Sequence, residues 1–132
     1  MIRIVTESMS DFTQEEAKAA DLIVMPLPIR FGMEEYWDDG VSLTQDDFYA
    51  RLRVAKELPK TSQVPVEHYR KCFNRLLENP EDEVLVITGS SKLSGCYQSA
   101  CIARSTCSSI RRCAIAARVS ATCRPCWRSC AT

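Results

Sequence analysis

Three short runs rich in β-branched residues constrain the fold most: "IRIVT" (Ile2 to Thr6), "LIVMPLPIRF" (Leu22 to Phe31) and "VLVIT" (Val84 to Thr88). The first and last are apolar at nearly every position, the composition of strands covered on both faces of a parallel sheet. Helical segments separate the runs. In "SDFTQEEAKAAD" the early hydroxyls and carboxylates can cap a helix that starts near Thr13. "SLTQDDFYARLRVAKEL" sets Thr44 and Asp47 at capping-box spacing, with Phe48, Leu52 and Ala55 on one helical face. "VPVEHYRKCFNRLLENPEDE" places Pro65 at a helix entry, aligns Tyr69, Phe73, Leu76 and Leu77 in a stripe, and has to stop before Pro80. This alternation predicts an α/β fold, an open parallel Rossmann-like sheet with right-handed crossovers. The middle run is an exception. Pro26 and Pro28 cannot donate ladder hydrogen bonds, so it reads as an edge or a bulge that leads through a hairpin at Gly32 and Met33 into "EEYW".

A length of 132 residues fits one domain. Charge is divided along the chain: all seventeen acidic residues lie at or before Glu83, while six of the seventeen basic residues are arginines in 101–132. Cysteine follows the same division, with Cys101, Cys107, Cys113, Cys123, Cys126 and Cys130 in the tail and only Cys72 and Cys96 before it. Arg3 and Glu7 interrupt the start where a secretion signal needs an unbroken apolar run, so the chain reads as cytoplasmic. No apolar stretch approaches the roughly eighteen residues of a membrane span, and stable membrane insertion is not expected.

The segment "VLVITGSSKLSGCYQSA" is a strand, a Gly/Ser loop and a helix that begins near Ser94. In open parallel sheets ligands bind beyond the carboxyl ends of the strands, and free N–H groups at a helix start attract anions. Ser90, Ser91 and Ser94 add hydroxyl donors, and Gly95 permits close backbone approach. Two readings stand side by side, an anion site and a plain helix cap. The spacing of Gly89 and Gly95, with Cys96 where a lysine should follow, fails the Walker A pattern, and no dinucleotide fingerprint occurs. No cofactor is therefore expected. A second loop, "LPKTSQ" (Leu58 to Gln63), carries Thr61 and Ser62 and taken alone reads as an ordinary polar connection.

The stretches "MIRIVTESMSD", "KTSQVP" and "SSKLSGCYQSA", in this order and separation, resemble the amino-terminal domain of the DegV family, bacterial fatty-acid-binding proteins. "MPLPIRFGMEEYWDDGVSL" and "FYARLRVAKELPKTSQ" extend the resemblance, which covers residues 1–100. It implies a carrier and not an enzyme: a protein that holds one long-chain fatty acid and presents its carboxylate to a fatty acid kinase. It also implies which residues grip the carboxylate, namely Thr61 and Ser62 in one loop and Ser94 with the Gly95 backbone in the other. Lys60 and Lys92 flank the loops and face solvent or a partner on this reading. Three positions depart from the family pattern. Glu7 stands for an acidic residue one carbon shorter, Met9 for a hydroxyl residue, and Cys96 for the Thr after S-G.

After Ala100 the periodicity is lost, and 101–132 reads as an irregular Cys/Arg-rich tail in place of the family's continuation, as if the reading frame had slipped near residue 100. The amino-terminal domain is on this view incomplete. Other readings of the tail are a zinc or redox module using Cys123 and Cys126, which lacks a second ligand pair and a helix to follow, and a basic segment whose arginines are too dispersed to specify nucleic acid. A small serine hydrolase using Ser91 or Ser94 is a further class, but no acid/base partner is assigned; His68, the single histidine, reads as a residue of a solvated helix face. Trp37 and Trp127 read as packing or surface residues.

Overall fold

The computed structural model describes residues 1–107 and 109–117. In chain order its elements are β1 (Ile2–Glu7), α1 (Gln14–Ala19), β2 (Leu22–Met25), β3 (Pro28–Phe31) and β4 (Glu34–Trp37), then α2 (Gln45–Val54) and β5 (Lys60–Thr61). They are followed by α3 (Val66–Leu76), β6 (Glu83–Thr88), α4 (Cys96–Ser105) and β7 (Cys113–Ala117).

The local signals act as chemistry requires. Thr13 caps α1 in a reciprocal capping box with Glu16, its hydroxyl accepting the Glu16 N–H and the Glu16 carboxylate accepting the Thr13 N–H. Thr44 caps α2 in the same sense, accepting the Asp47 N–H at 3.2 Å. Pro65 opens α3, whose Tyr69 and Phe73 are fully buried. Prolines divide the middle apolar run as their chemistry demands. Leu22–Met25 pairs in one sheet, and Pro28 begins a strand of another, where its missing N–H is tolerated at a strand's first position. The hairpin turns at Gly32, whose φ of 59° is in the left-handed region that favours glycine.

Strands β2, β1, β6 and β7 form a four-stranded sheet in that order, all parallel. Strands β4, β3 and β5 form a smaller antiparallel sheet. Helix α2 is held to it by an edge contact of Phe48 on Phe31 and by the ion pair of Arg51 with Glu34. The core lies between the parallel sheet and the pair α3 and α4: Val5, Val84, Val86, Tyr69, Phe73, Cys96, Ala100 and Ala103 pack together with little or no exposure. Burial alternates along β6 and β7, so the other face of the sheet is partly open, with Ile87 41% exposed and Ala114 and Ala116 exposed beside it.

Regular structure continues past the point where the sequence loses its period. Helix α4 runs through Ser105, and Cys113–Ala117 pairs with β6 from Val84 to Thr88. Its buried residues Cys96, Ser99, Ala100 and Ala103 recur at helical spacing, but they are small, so the stripe is faint on any hydropathy scale. Small residues here let α4 approach α3 closely. Arg112, which interrupts an apolar run in the sequence, donates to the carbonyls of Leu77, Asn79 and Asp82. It thereby satisfies a carbonyl at the end of α3 and ties the approach to β7 onto the loop before β6. Residues 118–132, with Cys123, Cys126 and Trp127, lie outside the described residues.

Phe73→Ala is expected to lower the unfolding free energy by about 3–5 kcal/mol through the cavity it leaves. Ile87→Ala on the open face should stay within about 1 kcal/mol, and urea denaturation followed by circular dichroism compares the two.

Candidate functional site

The order β2, β1, β6, β7 has one place where successive connections run in opposite directions, between β1 and β6. Chain leaving β1 turns toward β2, and chain leaving β6 turns toward β7. The two loops part at the carboxyl ends of the central strands and leave a crevice, where open α/β sheets bind ligands. One wall is a 3-10 turn, Ser8–Ser10, after β1; the other is the loop from Gly89 to Gly95 after β6.

The second wall is folded by its own serines. Leu93 and Ser94 donate their N–H groups to the Ser90 carbonyl, the Ser90 hydroxyl accepts the Lys92 N–H, and the Ser94 hydroxyl accepts the Cys96 N–H at 3.2 Å. Gly95 then enters α4 with φ of −77°, which any residue could adopt. Its reason is steric. A Cβ on Gly95 would overlap the Gln63 carboxamide, so glycine is needed for close approach and not for conformation.

That contact joins the two sequence-predicted loops. Thr61 ends β5 opposite Ile29, Ser62 donates its N–H to the Pro28 carbonyl, Gln63 lies across Gly95, and the Val64 N–H points at the Cys96 sulfur at 3.3 Å. Thr61 and Ser62 are exposed, and neither hydroxyl engages another described residue. Ser94 is half-buried. Lys60 and Lys92 are exposed on the two loops.

Sequence reading did not place Glu7 in this site. It is 2% exposed, at the end of β1. The Tyr69 hydroxyl stands 3.4 Å from Oε1 and the Gly89 N–H nitrogen 3.5 Å from Oε2, with the Cys96 thiol as a further neighbour. Burial is the largest influence and raises its pKa above the ordinary carboxylate value, against the lowering effects of Gly89, Cys96 and Tyr69. The same burial raises Tyr69 and Cys96. The methyl of Met9 occupies the space that a Cβ on Gly89 would take. Of the three departures from the family pattern, Glu7 and Met9 thus adjoin Gly89, and Cys96 adjoins Glu7. The available signal was an acidic residue ending an otherwise apolar strand.

His68 lies elsewhere: its ring stacks on Trp37 with centroids 4.9 Å apart, and it lines a cleft of about 420 Å³ with Ile23, Lys71 and Arg75. Among the described residues no hydrogen bond joins Ser91 or Ser94 to a histidine or carboxylate. None of the described His, Cys, Asp and Glu side chains gather in a group of three or more able to hold a metal ion. Cys72 and Cys113 are buried thiols, the latter pushed up to about 12 by burial, so both are held in the unreactive protonated form.

A family profile described as "Uncharacterised protein, DegV family" matches residues 1–117. The chain belongs to the DegV family. It is 41% identical over 104 residues to a DegV domain-containing protein of Halalkalibacterium halodurans, covering 79% of this chain and 36% of that protein. It is 36% identical to a protein of Thermotoga maritima named fatty acid-binding protein, over 77% of this chain and 36% of the relative. Among solved structures, a stearic-acid-binding protein of Eubacterium ventriosum superimposes with a TM-score of 0.76 at 32% identity, over 89% of this chain and 40% of that one. A fatty-acid-binding DegV protein of Thermus thermophilus gives 0.75 at 29% identity, over 88% and 40%. This DegV chain therefore spans well under half the length of these relatives.

Gly95→Ala is expected to cost about 1–3 kcal/mol by driving a methyl into Gln63. Most of that should return in the Gly95→Ala/Gln63→Ala pair, a coupling that a double-mutant cycle of unfolding free energies measures.

Proposed function

We propose that this chain carries the headgroup-binding part of a long-chain fatty acid carrier, with Thr61, Ser62, Ser94 and the Gly95 backbone as donors to the carboxylate. One observation carries the reading: the two hydroxyl-bearing loops touch through Gln63 and Gly95 at the crevice between β1 and β6. A carboxylate needs no lysine there, since each hydrogen bond to an ionised acceptor is strong. The names of the relatives, three of the four described above being fatty-acid-binding, point the same way. Apolar side chains rim the crevice, Met9 against Gly89 and Leu93 88% exposed next to Ser94.

The hydrocarbon is a separate matter. Burying about fifteen methylenes contributes on the order of 12 kcal/mol, but only within a continuous apolar tunnel. The cleft of about 420 Å³ beside α3 and another of about 460 Å³ beside α2 are not lined by Thr61, Ser62 or Ser94. We assign the rest of the tunnel to the part of the relatives' length that this chain does not span, which leaves headgroup recognition here and most of the affinity there. Presentation of an exposed carboxylate suits transfer to a fatty acid kinase; such a partner needs nucleotide, which places the exchange in the cytoplasm. No described helix is long and apolar enough to cross a membrane.

Oleate binding to the purified chain, followed by calorimetry and by native mass spectrometry, tests the assignment. Thr61→Ala and Ser94→Ala should each weaken binding roughly 10- to 100-fold, the loss expected for one hydrogen bond to a charged group. Binding that is indifferent to both substitutions would reject the site.

A further inference from the structure

Two carboxyl groups are buried among the described residues, and they are treated differently. Asp82 has cations: the α-amino group at 3.0 Å and Arg3 Nε at 3.5 Å. Glu7 has none at hand. It meets Tyr69 from α3, Cys96 from α4 and the Gly89 amide from the loop after β6, and none of these is positively charged. Met25 is its neighbour across β2, Met9 and Ser8 follow it in the chain, and the charged groups on the flanking loops, Asp11 and Lys92, are exposed.

The surroundings point to the protonation state. Glu7 is 2% exposed, and its contacts with the Tyr69 hydroxyl and the Gly89 amide, at 3.4 and 3.5 Å, are too long to replace the water it has lost. With no cation facing it, burial favours the protonated form.

The location gives the neutral acid a consequence. Glu7 sits under Gly89, the first residue of the loop that holds Ser90 and Ser94, and its Oε2 faces the Gly89 amide from below. Cys96, which adjoins Glu7, directly follows Ser94 and Gly95, so an anion held by those donors would sit near the same carboxyl. Ionised, Glu7 would set a second negative charge close to the first in a medium that screens poorly. Neutral, it leaves the field to the ligand.

We propose that Glu7 is a proton-bearing positioning residue at the floor of the headgroup crevice: the chain accepts an acyl carboxylate while Glu7 holds its proton and rejects it once that proton is lost to solvent. The inference rests on the carboxylate reading above. It adds a pH threshold to that site, set by a group that does not touch the ligand.

Decanoate is a suitable probe, because it is soluble and its own carboxyl is ionised well above the ordinary carboxyl range. In the ligand-free chain, carbon-13 NMR of the Glu7 side-chain carboxyl should show titration displaced above the ordinary carboxyl range. Above that titration the wild-type dissociation constant should rise about tenfold per pH unit, the signature of one proton linked to binding. In Glu7→Gln the slope should vanish. A Glu7 carboxyl that titrates at the ordinary value overturns the proposal without any ligand, and so does a pH slope shared by the wild type and Glu7→Gln. Decanoate binding that is flat across the Glu7 titration removes the role of Glu7 and leaves the carboxylate reading standing. A wild type that binds no decanoate at any pH removes both.

Discussion

Strands β1 and β6 lie side by side and parallel at the middle of the sheet, with Ile2 opposite Glu83 and Val5 opposite Val86. Because the chain leaves them in opposite directions, their ends cannot be bridged by a single connection, and a crevice is unavoidable. The half of the candidate site around Gly89 to Gly95 is positioned by this pairing. It sets Glu7 beside Gly89, aims α4 from the same rim, and brings Tyr69 and Cys96 against Glu7 from the covering helices. The β5 loop joins from the second sheet through Gln63 and Val64.

Packing on the two faces of this sheet differs. The side toward α3 and α4 is filled by Val5, Val84, Val86, Tyr69 and Phe73, together with the fully buried small residues Ala100 and Ala103 of α4. Toward the other side, Ile87 and the alanines of β7 remain exposed among the described residues. Parallel sheets are normally covered on both faces. The described part thus has one packed face and one partly open face, in a chain that spans 40% of the solved relatives' length.

Legibility in the sequence tracked the strength of the local signal. Capping residues with short reach were plain: Thr13, Thr44 and Pro65 each begin the helix their chemistry predicts. The stripe of Tyr69, Phe73, Leu76 and Leu77 was plain because large apolar side chains at helical spacing admit few other placements, Leu76 being the one member only partly buried. The single strand-like run that contained Pro26 and Pro28 was ambiguous and proved to be two strands in two sheets. Past Ala100 the signal failed. The buried face of α4 is Cys, Ser and Ala, and β7 is three alanines, an isoleucine and a cysteine, residues whose burial depends on what stands opposite. Arg112 read as an interruption and became an anchor, since its partners are backbone carbonyls that no sequence pattern advertises.

For the site, residue chemistry alone left the Gly/Ser loop between an anion site and a helix cap and made the loop with Thr61 and Ser62 a polar connection; it was the resemblance to the DegV family that nominated Thr61, Ser62, Ser94 and Gly95. That the two loops meet was not readable from spacing. It follows from β5 pairing with β3 and from Gln63 resting on Gly95, contacts made across more than thirty residues of chain. Least readable was the state of Glu7. A glutamate has an ordinary affinity for its proton until folding removes water and withholds a cation, and the residues that do both come from α3, α4 and β6. Identity is local, whereas the dielectric around a carboxyl is a property of everything packed against it.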